Sequence, residues 1–281
     1  MLLELKRSGL PIYFNTENEM LSLEAPLIYQ GYACKHLSQM RQLFQHQEGI
    51  DLNTKIYDTY RSISYPADLS KLNSYDFQYD ITVVRSGSIH KEAKKTSGHY
   101  HSWNLMHTST YPEVYEVISG TAFYIMQRAD NFENTNYANL DVSDVIVVRV
   151  DAGQSIIIPP NYAHCSVNGG SSAMIFSNLA YRPCTVDYEP VKYYHGLSVY
   201  IKKDNDHVEF CLNQRYHHLP SIRYAVPKEN SMLGIVFGKP IYKSFQEDPS
   251  VFDFLGNQDP YISQIMDMLD YRSPEQICQI N

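Results

Sequence analysis

From Thr96 to Tyr200 the chain is a succession of short segments rich in branched and aromatic residues, each closed by Gly, Pro, Asn or Asp. Residues 114–118, 121–127, 145–150, 155–158 and 174–179 read as strands. Ser119-Gly120 between the first two predicts a hairpin, and the Asn- and Asp-rich stretch 128–139 predicts a loop excursion. Earlier, 56–63 alternates like a strand, and 80–85 is a strand ended by Ser86-Gly87-Ser88. Residues 1–30 read as short extended pieces broken by Gly9-Leu10-Pro11 and by 15–18. One early helix is expected over 38–47, with Leu37, Met40, Leu43 and Phe44 on one face, Ser38 as cap and Gly49 as stop. Beyond 206 the pattern changes to a proline-punctuated stretch with a helix expected over about 261–270. The whole predicts an all-β sandwich or jelly-roll barrel over 1–205, including N-terminal strands and a short helix. A mixed C-terminal extension, 206–281, is expected to pack on it as an appendage. No internal repeat or low-complexity tract interrupts this pattern.

Composition narrows the function classes. A hydrophobic content of 43% over 281 residues supports a sizeable core. The net charge of −8, without long basic runs, leaves no electrostatic footprint for nucleic acid. Apolar runs such as Ile156-Ile157-Ile158 are far too short for a bilayer, and the N-terminus lacks a signal-like hydrophobic stretch. The cysteines Cys34, Cys165, Cys184, Cys211 and Cys278 are odd in number and scattered, with no Cys-x-x-Cys. That usage fits free thiols in a reducing cytoplasm. Cys165 is expected to pack in the core rather than to react.

Chemistry concentrates in two boxes. The first is Gly98-His99-Tyr100-His101, eleven residues, Glu113, six residues, Gly120. The second is Gly153, five residues, Pro159, four residues, His164, three residues, Asn168. On a strand, His99 and His101 point the same way. With Glu113 and His164 they offer three nitrogens and one oxygen, a set suited to one divalent Fe, Mn, Ni or Zn. His107, in the loop between His101 and Glu113, is a rival ligand, disfavoured because Glu113 lies on a strand at the right distance from Gly120.

The two boxes resemble the paired cupin motifs, which implies a jelly-roll barrel with one central metal. Two positions depart from the pattern. A loop, 102–110, lengthens the gap before Glu113, and Asn161 stands where glycine is usual, a residue that tolerates the left-handed turn. Within cupins, the segments 96–101, 112–117 and 158–168 resemble the glucose-6-phosphate isomerases of archaea and bacteria, with similarity running roughly from Leu10 to Lys202. Gly238-Lys239-Pro240-Ile241-Tyr242 resembles a stretch of longer bacterial members.

That resemblance implies a cytoplasmic enzyme of glycolysis and gluconeogenesis that acts on a phosphorylated sugar, holds one divalent metal, Fe(II) first, and forms a homodimer. It implies His99, His101, Glu113 and His164 as ligands, Thr82, Thr96 and Gly98 near the phosphate, and Tyr57, Tyr115 and Tyr188 along the pocket. Val186 stands where archaeal members carry a histidine before Asp187-Tyr188, so this chain lacks that acid/base group. Hydroxyls and backbone N–H groups hold phosphate without lysines, and Lys94 and Lys95 read as solvated steering charges. Glu113 and Tyr115 are the candidate catalytic groups, with proton transfer and hydride shift both open. The alternatives are another cupin sugar isomerase or epimerase, a cupin dioxygenase, and a sugar-sensing cupin without turnover. The paired threonines argue against the dioxygenase, and the intact ligand set argues against the sensor. His217-His218 is expected to be a surface pair.

Overall fold

Side-chain parity on the strand Glu113–Ser119 sets the architecture. Glu113, Tyr115 and Val117 face one core, whereas Val114 and Ile118 face another. A sheet buried on both faces shows unbroken apolar runs instead of a clean alternation. In the computed structural model, which describes residues 1–46, 48–134, 136–204 and 207–278, this strand lies in a six-stranded antiparallel sheet. Its order is Ser155–Ile158, Glu113–Ser119, Met174–Tyr181, Phe77–Val84, Lys55–Arg61, Gly31–His36. The second sheet is ordered Tyr162–Asn168, Thr121–Arg128, Asp144–Asp151, Arg223–Pro227, Leu269–Arg272. Together they form an all-β jelly roll. The inner core, including Val117, Tyr124, Ile146, Val148 and Phe176, fills the space between the sheets.

The outer core lies on the far face of the six-stranded sheet. N-terminal residues Leu10, Ile12 and Phe14 join Ile241, Tyr242, Phe245, Phe252 and Phe254 against Tyr79, Ile81, Val83 and Ile175. Strand Arg223–Pro227 runs parallel to Asp144–Asp151, and Leu269–Arg272 completes that edge. The hairpin formed by Val199–Asp204 and His207–Leu212 straddles position 206, whose own placement lies outside the described residues.

Four expectations differ from the structure. The strands Glu113–Ser119 and Thr121–Arg128 do not form a hairpin; they pair in different sheets. Both bury a face in the same inner core, so the chain crosses from sheet to sheet at Gly120, whose φ of 86° accommodates the sharp step. The helix expected over 38–47 shrinks to Leu37–Met40 and a 3-10 turn Arg41–Leu43, and Gln47 lies outside the described residues. Leu37, Met40 and Leu43 recur every third residue, the 3-10 period, and all are buried. Ser38 is no cap, because the helix starts at His36, whose N–H donates to the Gln39 side chain at 3.1 Å. The helix over 261–270 is confined to Ile262–Met266, because Leu269–Arg272 is drawn into a sheet. No described helix is long and apolar enough to cross a membrane.

Candidate metal centre

The four expected ligands come from three places. Glu113 opens a strand of the first sheet, and His164 lies on Tyr162–Asn168 of the second. His99 and His101 sit on the short segment that bridges the sheets, where His99 pairs with His164 and His101 with Val186. The four ligating atoms all lie within 4.8 Å of one another.

The hydrogen bonds fix the tautomers. A carbonyl only accepts, so His99 Nδ1 donates to Ser97 O at 3.1 Å and His101 Nδ1 donates to Tyr111 O at 2.7 Å. Both Nε2 lone pairs then face each other at 3.2 Å. Two acceptor lone pairs at that distance need a shared proton or a cation between them. With His164 Nε2 and Glu113 Oε2 at 3.5 Å from each other, and Glu113 Oε2 3.3 Å from His101 Nε2, the donor set fits a divalent cation.

Electrostatics favour the neutral form for two of the three imidazoles. Burial, with His164 and His101 beside it, holds His99 well below the ordinary imidazole value, and burial also lowers His164. Burial works against a charged His101, but Cys184 and Glu113 outweigh it. Burial opposes ionisation of Glu113, and the adjacent His101 and His164 imidazoles outweigh it and hold its carboxyl well below the usual range. Tyr115 donates to Glu113 Oε2 at 2.8 Å, and its hydroxyl also lies 2.8 Å from His164 Nε2. Burial keeps that phenol protonated.

The cluster forms one wall of a cavity of about 350 Å³, within the ~300–1,000 Å³ common for small-molecule sites. Tyr57, Thr82, Thr96, Tyr115 and Tyr188 line it. Tyr188 lies with its ring 5.4 Å from that of His99. Thr82 Oγ1 is 3.2 Å from Thr59 Oγ1, and Tyr57 Oη is 3.3 Å from Ser97 Oγ. Thr96 Oγ1 accepts the Ser166 N–H at 3.0 Å, which leaves its own O–H free to donate into the cavity.

Several residues fall elsewhere. Gly98 does not line the cavity; a Cβ there would meet Leu197 at 3.1 Å and Val191 at 3.3 Å, so glycine fits the close packing at this position. His107 is exposed, lies with its ring tilted against that of Trp103 and is absent from the cluster. Lys95 is not solvated: it is buried, paired with Glu92 and set over the rings of Phe44 and Tyr200. Lys94 is half-buried, and burial lowers its pKa. Cys165 is buried, which pushes its thiol up to about 12. His217 and His218 are exposed.

Sequence reading missed Asn178, whose amide donates to Glu113 Oε1 at 2.8 Å. It also missed Asp80, a carboxylate in the cavity held by the Ser62 N–H at 2.8 Å and the Gln78 amide. Burial raises Asp80 above its ordinary value. Arg61, 3.5 Å from Asp80, and Arg182 bring the cavity's positive charge. The signal was parity: Asp80 shares a face with Thr82, and Asn178 shares one with Phe176 and Ala180.

A jelly roll that gathers three imidazoles and a carboxylate between its sheets defines a cupin whose buried cluster could hold a metal ion. A family model described as Glucose-6-phosphate isomerase (GPI) matches residues 31–220, and the chain belongs to that family. The match excludes residues 238–242. Glucose-6-phosphate isomerase of Pyrococcus abyssi (strain GE5 / Orsay) is 24% identical over 141 residues, covering 50% of this chain and 65% of its own length. That of Thermococcus gammatolerans (strain DSM 15229 / JCM 11827 / EJ3) is 22% identical over 186 residues, 65% of this chain and 86% of its own. The chain thus spans just under two thirds of the Pyrococcus relative. Among solved structures, hazelnut (Corylus avellana) vicilin superposes with a TM-score of 0.33 at 14% identity, over 52% of this chain and 34% of its own. Tomato (Solanum lycopersicum) vicilin gives 0.32 at 14% identity, over 52% and 33%.

Proposed function

We propose that this chain is a metal-dependent aldose–ketose isomerase that interconverts glucose 6-phosphate and fructose 6-phosphate, a step of glycolysis and gluconeogenesis. The observation that carries this reading is the pair of facing Nε2 lone pairs of His99 and His101, completed by His164 and Glu113, at the wall of a cavity lined by hydroxyls. The donor set suits Fe(II), Mn(II), Ni(II) or Zn(II), and the family resemblance puts Fe(II) first among them. A divalent cation there supplies Lewis-acid polarisation of the sugar's carbonyl and neighbouring hydroxyl oxygens.

The protein groups then divide the work. Isomerisation moves a proton from C2 to C1 and the O2 hydroxyl proton to O1. The Glu113 carboxylate accepts the carbon-bound proton and returns it to the adjacent carbon. Asn178, donating to Oε1, holds the carboxylate in place, and the Tyr115 hydroxyl steadies Oε2. Tyr57, Thr82, Thr96 and Tyr188 bind the substrate, with Arg61 and Arg182 offsetting the phosphate charge. Val186 has no ionisable group, so opening of the ring depends on the remaining residues. The free cysteines fit the cytoplasm. Gly31–His36, an edge strand with one partner among the described residues, offers a face for homodimerisation.

The decisive experiment is fructose 6-phosphate turnover by protein purified without a tag, with elemental analysis. Close to one Fe, Mn, Ni or Zn per chain is expected, with activity lost to chelator and restored by metal; His101→Ala should lose both. Full activity without metal overturns the reading. Phosphate recognition is tested by Thr82→Val, which keeps the shape and removes one hydroxyl. A charge-assisted hydrogen bond contributes roughly 1.5–3 kcal/mol, so KM for fructose 6-phosphate should rise about ten- to hundredfold. Turnover of unphosphorylated fructose should not change. Equal losses for both sugars would make Thr82 a packing residue.

A further inference from the structure

Residues 256–259 lie outside the stretch matched by the family model, yet they grip the loop that leads into Glu113. The Gln258 amide, buried, donates to the carbonyls of Ser109 and Thr110, each at 3.2 Å. The Asp259 carboxylate accepts from Thr108 Oγ1 at 2.5 Å, from Asn104 Nδ2 at 3.3 Å, and from Ser109 Oγ. Gly256 abuts Tyr181 so closely that a Cβ would sit 3.0 Å from its ring, and that ring packs 5.0 Å from Tyr111. From the other side, Asn161 accepts the Thr110 N–H at 2.9 Å and donates its own N–H to Thr110 Oγ1 at 2.6 Å.

The next residue, Tyr111, supplies the carbonyl that orients His101. A ligand imidazole whose second nitrogen has a fixed partner keeps its tautomer and its aim, and losing such a partner typically costs about 10–100-fold in metal affinity. We infer that Gln258 and Asp259 are positioning residues for the metal centre: by clamping residues 108–110 they set the Tyr111 carbonyl, and through it the His101 imidazole. This rests on the proposed metal role of His101. It gives the C-terminal segment a function at the site besides covering the sheet's outer face.

The test uses the full chain and Co(II) as probe, with Trp103 as reporter, because it is the single tryptophan and sits on the clamped loop. Gln258→Met keeps the bulk of the side chain and removes both donors. Lys239→Met is the control, since it breaks the Lys239–Glu247 pair elsewhere in the C-terminal segment. The Co(II) dissociation constant should rise about tenfold in Gln258→Met, with lower Trp103 anisotropy, and should stay at the parent value in Lys239→Met. If Gln258→Met does not fold, Asp259→Asn, at an exposed position, should give a smaller rise in the same direction. A folded Gln258→Met or, failing that, Asp259→Asn with unchanged Co(II) affinity overturns the inference. Weakened Co(II) binding in the variant, beside a parent that binds Co(II) but does not turn over fructose 6-phosphate, sustains the inference and removes only the isomerase reading. A parent that binds no Co(II) removes both.

Discussion

Glu113→Gln is expected to lower kcat for fructose 6-phosphate by about 10²–10⁴, the usual cost of removing a general base. The chain should still fold, because an uncharged amide is no harder to bury than the carboxylate it replaces. With the glutamine oxygen in the Oε2 position it still accepts from Tyr115 and still faces the imidazoles, while Asn178, by a flip of its amide, accepts from the new NH₂ in place of donating to Oε1. Two measurements separate base from ligand. Metal content reports whether coordination survived. Incorporation of solvent tritium into the sugar reports whether an exchangeable base handles the carbon-bound proton. Loss of turnover with retained metal, together with label incorporation by the parent enzyme, assigns the proton transfer to Glu113. A variant that keeps its metal and near-parent kcat makes Glu113 a ligand only. A parent that turns over without label uptake moves the mechanism to a hydride shift.

The site was legible because its information is local. His99 and His101 share a face by strand parity, and Pro159 to His164 is a single turn and strand. Asn161 adopts the left-handed turn at a φ of 69°, as its residue type allows. Its side chain also ties the turn to Thr110, which glycine in that position lacks the atoms to do. Partner choice was not legible. Ser119-Gly120 has the local features of a hairpin turn, and only the two-sided burial of both strands places them in separate sheets. Gln258 was invisible for a stronger reason: its partners are 148 and 149 residues away in sequence. The position of Asn178 was readable from parity, but its bond to Glu113 depends on how two strands register.

Glu116 carries the same lesson into stability. It shares a strand with Glu113 and Tyr115 but points to the opposite core, where polar side chains are scarce. Its carboxyl accepts the Ile241 N–H at 3.0 Å, at the start of helix Ile241–Glu247, and the Ser177 hydroxyl at 3.3 Å. Burial outweighs both hydrogen bonds and pushes it up to about 8. No cation among its hydrogen-bond partners compensates an ionised carboxylate there. Between the unfolded carboxyl value near 4.5 and about 8, the native chain therefore binds more protons than the unfolded chain, so stability falls as pH rises. The full loss, reached above about pH 8, is on the order of 4–5 kcal/mol for a shift of this size. Glu116→Gln keeps an acceptor for the Ile241 N–H and carries no charge at any pH. Its stability should match the parent's near pH 4.5 and exceed it progressively to pH 8.5, with a flatter pH profile. Urea unfolding at pH 5, 7 and 8.5 reads this directly, provided the slopes against denaturant agree. The same difference between variant and parent at pH 5 and pH 8.5 would mean that Glu116 is already ionised in the native chain, held by the N-terminus of the helix it caps.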